Sequence, residues 1–324
     1  MVAAIRVHRY GGPEVLQLEE IELPPPAKGE IRVRQKAIGV NFIDTYFRTG
    51  LYKAPQLPFI AGNEAAGEVT ALGEGVEGFA IGDRVAYVVT LGCYAAERNV
   101  PAAMAVKLPA AISDETAAAM MLKGLTAEYL LHRTYKVRPG DTILVHAAAG
   151  GVGQILTQWG KHLGATVIGT AGTEEKAALA RENGCDHVIL YRSEDFAKRV
   201  AEITKGEKCN VVYDGVGKTT FEGSLDSLRP LGVLASFGNA SGPVSDFNLG
   251  ILGPKGSLFV TRPTLFTFIP RRAWLEEMAG RLFEVVASGA VKIAISRRAP
   301  LADAAEVHRA LEGRETTGAV ILTP

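Results

Sequence analysis

The chain has 324 residues, more than one ordinary core usually serves, and its 47% hydrophobic and 22% charged side chains exclude a disordered or low-complexity polypeptide. Thirty-five basic residues offset thirty-five acidic ones, which argues against a broad electrostatic footprint for nucleic acid or anionic lipid. Three cysteines, Cys93, Cys185 and Cys209, form no CxxC pair and no even framework, so a disulfide scaffold and a cysteine-rich zinc site are both excluded and a reducing cytoplasm is expected.

The N-terminus meets charge at Arg6 before any apolar run long enough for a signal-peptide core. The first hundred or so residues read as short β-segments, VAAIRV, EIRVRQKAIGVN, GEVTALG, GDRVAYVV and AVKLP, separated by connectors rich in Gly, Pro and Asp. They predict a β-rich, barrel-like lobe. Ser113, followed by Thr116 and an Ala-rich run to about Tyr135, predicts a long N-capped helix ended by the RPGD turn. After Pro139 strands alternate with helices, the strands predicted at 142–147, 166–170, 187–191, 210–213, 232–237 and 257–262. Between them, EEKAALARENG and EDFAKRVAEITKG are helical in composition and stop at Gly184 and Gly206. Six strands with crossovers predict an α/β, doubly wound parallel sheet, with 257–262 at one edge. The uncharged stretch 142–160 has the length of a membrane span, but four glycines, His146, Gln154, Thr157 and Gln158 make it a poor one. From about Arg271 two helices and a terminal strand are expected to return to the first lobe, giving segments 1–125, 126–268 and 269–324.

Strand, glycine-rich turn and helix follow one another in DTILVHAAAGGVGQILTQWG. In this context Gly150, Gly151, Val152 and Gly153 are candidate pyrophosphate contacts: Gly150 permits close backbone approach, Gly153 permits close helix-to-strand packing, and the helix N-terminus favours an anion. The fingerprint's first glycine is Ala148, a departure that restricts the turn geometries available. The end of the second strand reads Gly169-Thr170-Ala171-Gly172, without the carboxylate an NAD site normally uses on the ribose hydroxyls. Lys176 and Tyr191 are placed to line an adenosine-phosphate pocket. NADPH is therefore the expected cofactor.

Several long blocks resemble the medium-chain dehydrogenase/reductases, and within them the zinc-free quinone oxidoreductases that include zeta-crystallin. They are GGPEVL, GVNFIDTYFRTGLY, GNEAAGEV, KGLTAEYLL, HAAAGGVG, VVYDGVG, SFGNASG and SLFVTRP, in order along essentially the whole chain. The resemblance implies a GroES-like β-rich catalytic domain beside the Rossmann domain. Asn41, Asn63 and Leu122 stand at the positions of the wider family's catalytic zinc ligands, and none is a usual zinc ligand. Without a Lewis acid an alcohol is a poor substrate, whereas a quinone or an α,β-unsaturated carbonyl delocalises the charge that hydride delivery creates. By the same resemblance Asn41, Asp44, Tyr46 and Tyr52 surround nicotinamide and acceptor, with Arg262 closing over them. Thr126, Gly172, Lys176, Tyr191, Val216, Phe237, Gly238, Asn239 and Arg314 are implied cofactor contacts.

The leading expectation is an NADPH:quinone oxidoreductase without a metal. A reductase of α,β-unsaturated aldehydes or ketones is the second enzyme reading. A structural or RNA-binding role, known among zeta-crystallin relatives, is disfavoured by the zero net charge and the absence of aromatic RNA-binding motifs. The six histidines lack metal-like spacing and are read as structural, and the pairs Arg271-Arg272 and Arg297-Arg298 as solvated helix ends. A homodimer formed through the Rossmann sheet edge at 257–262 is expected.

Overall fold

The computed structural model describes residues 1–245, 247–313 and 315–324. In chain order the first elements are β1 (Val2–Val7), β2 (Leu16–Ile21), β3 (Glu30–Val40), α1 (Phe42–Thr49), β4 (Phe59–Ile60), β5 (Glu64–Leu72), β6 (Arg84–Val88), β7 (Glu97–Pro101), β8 (Ala105–Lys107) and α2 (Asp114–Tyr129). Next come β9 (Thr142–Val145), α3 (Gly151–His162), β10 (Thr166–Ala171), α4 (Glu174–Glu182), β11 (His187–Leu190), α5 (Phe196–Ile203), β12 (Cys209–Asp214), α6 (Phe221–Asp226), β13 (Leu228–Ser236) and β14 (Phe259–Thr261). The chain ends with α7 (Arg272–Ala287), β15 (Ile295–Pro300), α8 (Ala304–Glu312) and β16 (Ala319–Thr323). It divides into one unit of Met1–Leu125, Ile269–Ala287 and Ile293–Pro324, and a second of Thr126–Phe268 and Ser288–Lys292.

The first unit holds a seven-stranded sheet. Six of its strands run in the order β15-β16-β3-β5-β6-β8 and β7 pairs with β3, while β2-β1-β4 forms a separate three-stranded sheet. β3 shows why this lobe folds as strands: Ile31, Val33, Gln35 and Ala37 turn inward while Arg34 and Lys36 face solvent, the period of two that buries one face. Its last residues, Ile38 to Val40, are buried throughout, where β16 and β5 flank them. Arg297 and Arg298 lie in β15, paired in parallel with β16, and are not helix ends as their sequence context predicts. An alternating strand of charged and apolar residues is exposed on one face and needs no helix to solvate its arginines.

The second unit carries a six-stranded parallel sheet in the order β11-β10-β9-β12-β13-β14, flanked by crossover helices. β9 and β10 are near-continuous apolar runs because both faces are covered. Leu144, Ile168, Ile189, Val212 and Leu234, one from each of five strands, meet in one core. The stretch 142–160 resolves into β9, a turn and most of α3, and among the described residues no helix is long and apolar enough to cross a membrane.

Candidate active site

In the second unit the C-terminal ends of β9, β10, β12 and β13 gather the glycine-rich loops. Gly150 caps α3 in an extended conformation, and the first turn of that helix presents amides that lack intrahelical acceptors. A side chain at Gly153 would put its Cβ 2.2 Å from the Ala147 carbonyl oxygen, so the helix sits this close to the strand only with glycine there. The missing first glycine has a structural answer. Ala147, not Ala148, takes the left-handed conformation at φ 51°, and the Ala148 methyl fills the space above Gly169, where a Cβ would lie 2.8 Å away.

At the end of β10, Gly172 lies under Tyr191: a Cβ on Gly172 would stand 2.7 Å from the tyrosine hydroxyl. Thr173 caps α4 by accepting from the Lys176 amide at 3.3 Å, which sets Lys176 in the first helical turn beside them. The structure thus brings Gly172 and Tyr191 together, with the Lys176 backbone in the helical turn that follows and no carboxylate at Ala171, Gly172 or Thr173. After β12, Asp214 accepts from the amides of Val216 and Gly217 at 2.8 and 2.9 Å and fixes that loop. Gly238 passes so close that a Cβ there would meet the Gly215 carbonyl at 2.3 Å. Arg262 donates to the Ser236 carbonyl at 2.7 Å and to the Asn239 carboxamide at 3.1 Å, so Phe237, Gly238 and Asn239 are held as one loop. Thr126 is buried in α2. Arg314 lies outside the described residues.

Beneath these loops runs a buried polar network that local sequence patterns do not reveal. His146 at the end of β9 bonds Thr170 of β10 at 3.1 Å and Ser224 of α6 at 3.0 Å, and Ser224 donates to Asp214 at 2.9 Å. Burial pushes the His146 pKa down, so the imidazole ties three strand ends together as a neutral group.

The other candidate residues belong to the first unit, on α1 and its flanks. Asp44 accepts from the Asn41 amide at 2.7 Å, the side-chain half of a capping box, and Gly50 at φ 79° ends the helix in a left-handed cap. The rings of Tyr46 and Tyr52 meet edge to face at 5.3 Å, and the Tyr52 amide donates to the Tyr46 carbonyl at 3.0 Å. Two residues with no role in the sequence reading organise this region. Glu64, fully buried, accepts from Asn41 Nδ2 at 2.6 Å, from Lys123 Nζ at 3.0 Å and from the Leu122 amide at 2.6 Å. Burial pushes Asp44 up to about 7, opposed by the Asn41 amide and the Tyr94 hydroxyl. The surroundings of Asn63 and Leu122 do not fit a metal: Asn63 donates its amide to the Val89 carbonyl at 3.0 Å, Leu122 offers no donor atom, and the Lys123 ammonium already holds Glu64.

A GroES-like β lobe and a doubly wound parallel sheet with a glycine-rich first turn define a two-domain dehydrogenase/reductase. A family profile described as an alcohol dehydrogenase GroES-like domain matches residues 27–140, and one described as a zinc-binding dehydrogenase matches residues 151–274. The quinone oxidoreductase of Pseudomonas aeruginosa is 52% identical over 325 residues, covering 100% of both chains. The 2-haloacrylate reductase of a Burkholderia species is 45% identical over 331 residues, covering 100% of this chain and 99% of the other. The crystal structure of Escherichia coli quinone oxidoreductase complexed with NADPH superposes with a TM-score of 0.98 at 51% identity, covering 99% of this chain and 100% of that one. The chain belongs to the quinone oxidoreductases of the medium-chain dehydrogenase/reductase family.

Proposed function

We propose that this protein reduces quinones with NADPH and uses no metal to do so. One observation carries the reading: the three positions that match the wider family's metal ligands hold two carboxamides and a leucine, in surroundings already filled by Glu64 and Lys123. Nothing there lowers an alcohol's pKa, so the acceptor must be electrophilic by its own conjugation. The carboxylate-free end of β10, with Lys176 and Tyr191 beside Gly172, fits a 2′-phosphate. NADPH supplies the hydride. Gly150, Gly151, Val152 and Gly153 bind its pyrophosphate, and Val216, Phe237, Gly238 and Asn239 shape the loops that receive the rest, with Thr126, Arg262 and Arg314 as further contacts. Tyr46 and Tyr52 offer flat faces to an aromatic acceptor, while Asn41, Asp44 and the tyrosine hydroxyls supply hydrogen bonds for the oxyanion that forms on it.

A second reading, reduction of α,β-unsaturated carbonyl compounds at the same residues, is supported by the 45% identity to a 2-haloacrylate reductase. Steady-state rates with quinones, enones and alcohols, using NADPH and NADH before and after a chelator, test both. Quinone turnover with NADPH that survives the chelator is the expected result. Enone turnover far above quinone turnover would transfer the assignment to the second reading, and alcohol oxidation lost with the chelator would overturn both.

We also infer a homodimer joined along β14. This strand ends the six-stranded order, and Phe259 on it, with Leu231 and Leu249 elsewhere in the same unit, is exposed at 60%, 61% and 71%. Light scattering should give the mass of two chains; a single-chain mass at micromolar concentration would refute it. The three buried, unpaired cysteines support placing the protein in a reducing cytoplasm.

A further inference from the structure

We infer that Arg48, His308 and Tyr94 form a one-way chain of hydrogen-bond donors ending on Asp44, and that they act as positioning residues that fix which oxygen of Asp44 holds a proton. The inference deepens the acceptor role proposed for Asp44 and rests on it. All four side chains belong to the first unit, on α1, α8 and the segment before β7.

The direction of the chain has only one assignment. A guanidinium donates and never accepts. Arg48 Nη1 lies 3.2 Å from His308 Nδ1, so Nδ1 carries the lone pair and the imidazole proton sits on Nε2. His308 Nε2 is 3.0 Å from the Tyr94 hydroxyl and donates to it. Tyr94 then spends its own proton on Asp44 Oδ2 at 3.0 Å, where the Asn41 amide also donates at 2.7 Å. Asp44 Oδ1 is buried and has no partner among the described residues. With two donors aimed at Oδ2, the proton of the neutral acid sits on Oδ1.

The outer end of the chain is anchored. Arg48 is 1% exposed, donates from Nη2 to Glu312 at 2.6 Å and from Nε to the Gly11 carbonyl at 3.1 Å. Because arginine does not release its proton, the chain conducts none; it acts on Asp44 by polarisation and geometry. Burial and Arg48 push His308 down to about 3, which keeps the imidazole neutral and the tautomer fixed. The other charged or titratable groups acting on Asp44 are Glu64, which raises its pKa, and Lys123, which lowers it, and Cys93 is also within electrostatic range.

The decisive measurements use the apoprotein and need no substrate. Nitrogen NMR of His308 should show the Nε2–H tautomer from pH 5 to 8; the Nδ1–H tautomer would overturn the chain. Carbon NMR of the Asp44 carboxyl should give a midpoint near 7 in the wild type. In Tyr94→Phe it should rise by about one to two pH units, a ten- to hundredfold gain in proton affinity, because the ionised form loses a donor. Arg48→Met, which frees Nδ1 to take the proton, should also raise it, whereas Arg48→Lys keeps a donor-only cation and the original tautomer. An Asp44 midpoint unmoved by both Tyr94→Phe and Arg48→Met would overturn the inference, even if either variant is less stable. Absence of quinone turnover in the wild type would remove the functional reading but leave these titrations to decide the chain.

Discussion

Asp44 and His308 are both buried, the imidazole neutral at physiological pH and the carboxyl titrating near 7, and they pull stability in opposite directions as pH falls. The His308 pKa of about 3 lies below the unfolded value of ~6.5, so between these limits the unfolded chain binds a proton that the native state refuses. Stability contributed by this group is lost as pH drops below ~6.5, at up to about 1.4 kcal/mol per pH unit. Asp44, at about 7 against ~3.9 unfolded, binds its proton in the native state first, so its contribution is lost as pH rises from ~4 to 7. The two nearly cancel between pH 4 and 6.5, leaving the acid-side loss from His146. Asp44→Asn should unmask the His308 term and steepen the loss between pH 7 and 5 by about 2 kcal/mol, read by urea unfolding. An unchanged slope would show that Asp44 is ionised throughout. Lys176 makes a separate residue-scale prediction: the wild type should favour NADPH over NADH at least tenfold in kcat/KM, about 1.4 kcal/mol, and Lys176→Ala should erase most of that preference.

At the scale of elements, the β9–turn–α3 junction separates packing from ligand approach. Gly153→Ala drives a Cβ into the Ala147 carbonyl and should destabilise the fold by about 1–3 kcal/mol, measured as a lower urea midpoint. Gly150→Ala meets the same carbonyl at 3.1 Å and should cost little stability while weakening NADPH binding, measured by nucleotide fluorescence. This junction was legible in the sequence because strand, turn and helix are adjacent there, and each of the six Rossmann strands announces itself by an apolar run between turns. α1 was less so, although its signals are local: Asn41, Asp44 three residues later and Gly50 at the far end. Glu64 lies in GNEAAGEV and Lys123 in KGLTAEYLL, but only folding places an ammonium beside that carboxylate. The donor chain through Arg48 and His308 spans 260 positions and has no local signature at all. Ala148 restricts the turn when the sequence is taken alone, and the compensating gap above Gly169 exists only once the neighbouring strand is in place.

At the scale of the whole molecule, the edge at β14 makes a prediction about assembly. Phe259→Lys places a charge on an exposed edge residue and should convert the proposed dimer to single chains, with a concentration-dependent mass by light scattering. No change in mass would mean that the copies meet elsewhere.

The order of strands in the first unit bears on how the chain is made. β16, the last strand, lies between β15 and β3, and β3 is complete by residue 40. A ribosome therefore releases the lobe's early strands long before their neighbour exists, while residues 126–268 emerge as an unbroken stretch that holds all six strands of its own sheet. Closing the β3–β16 pairing must await residues 319–323, with the loop-closure entropy of the long intervening chain set against it. Until residues 319–323 are made, β3 lacks its β16 partner and the lobe has an open seam, whereas the six-stranded sheet of the second unit already has every strand it needs.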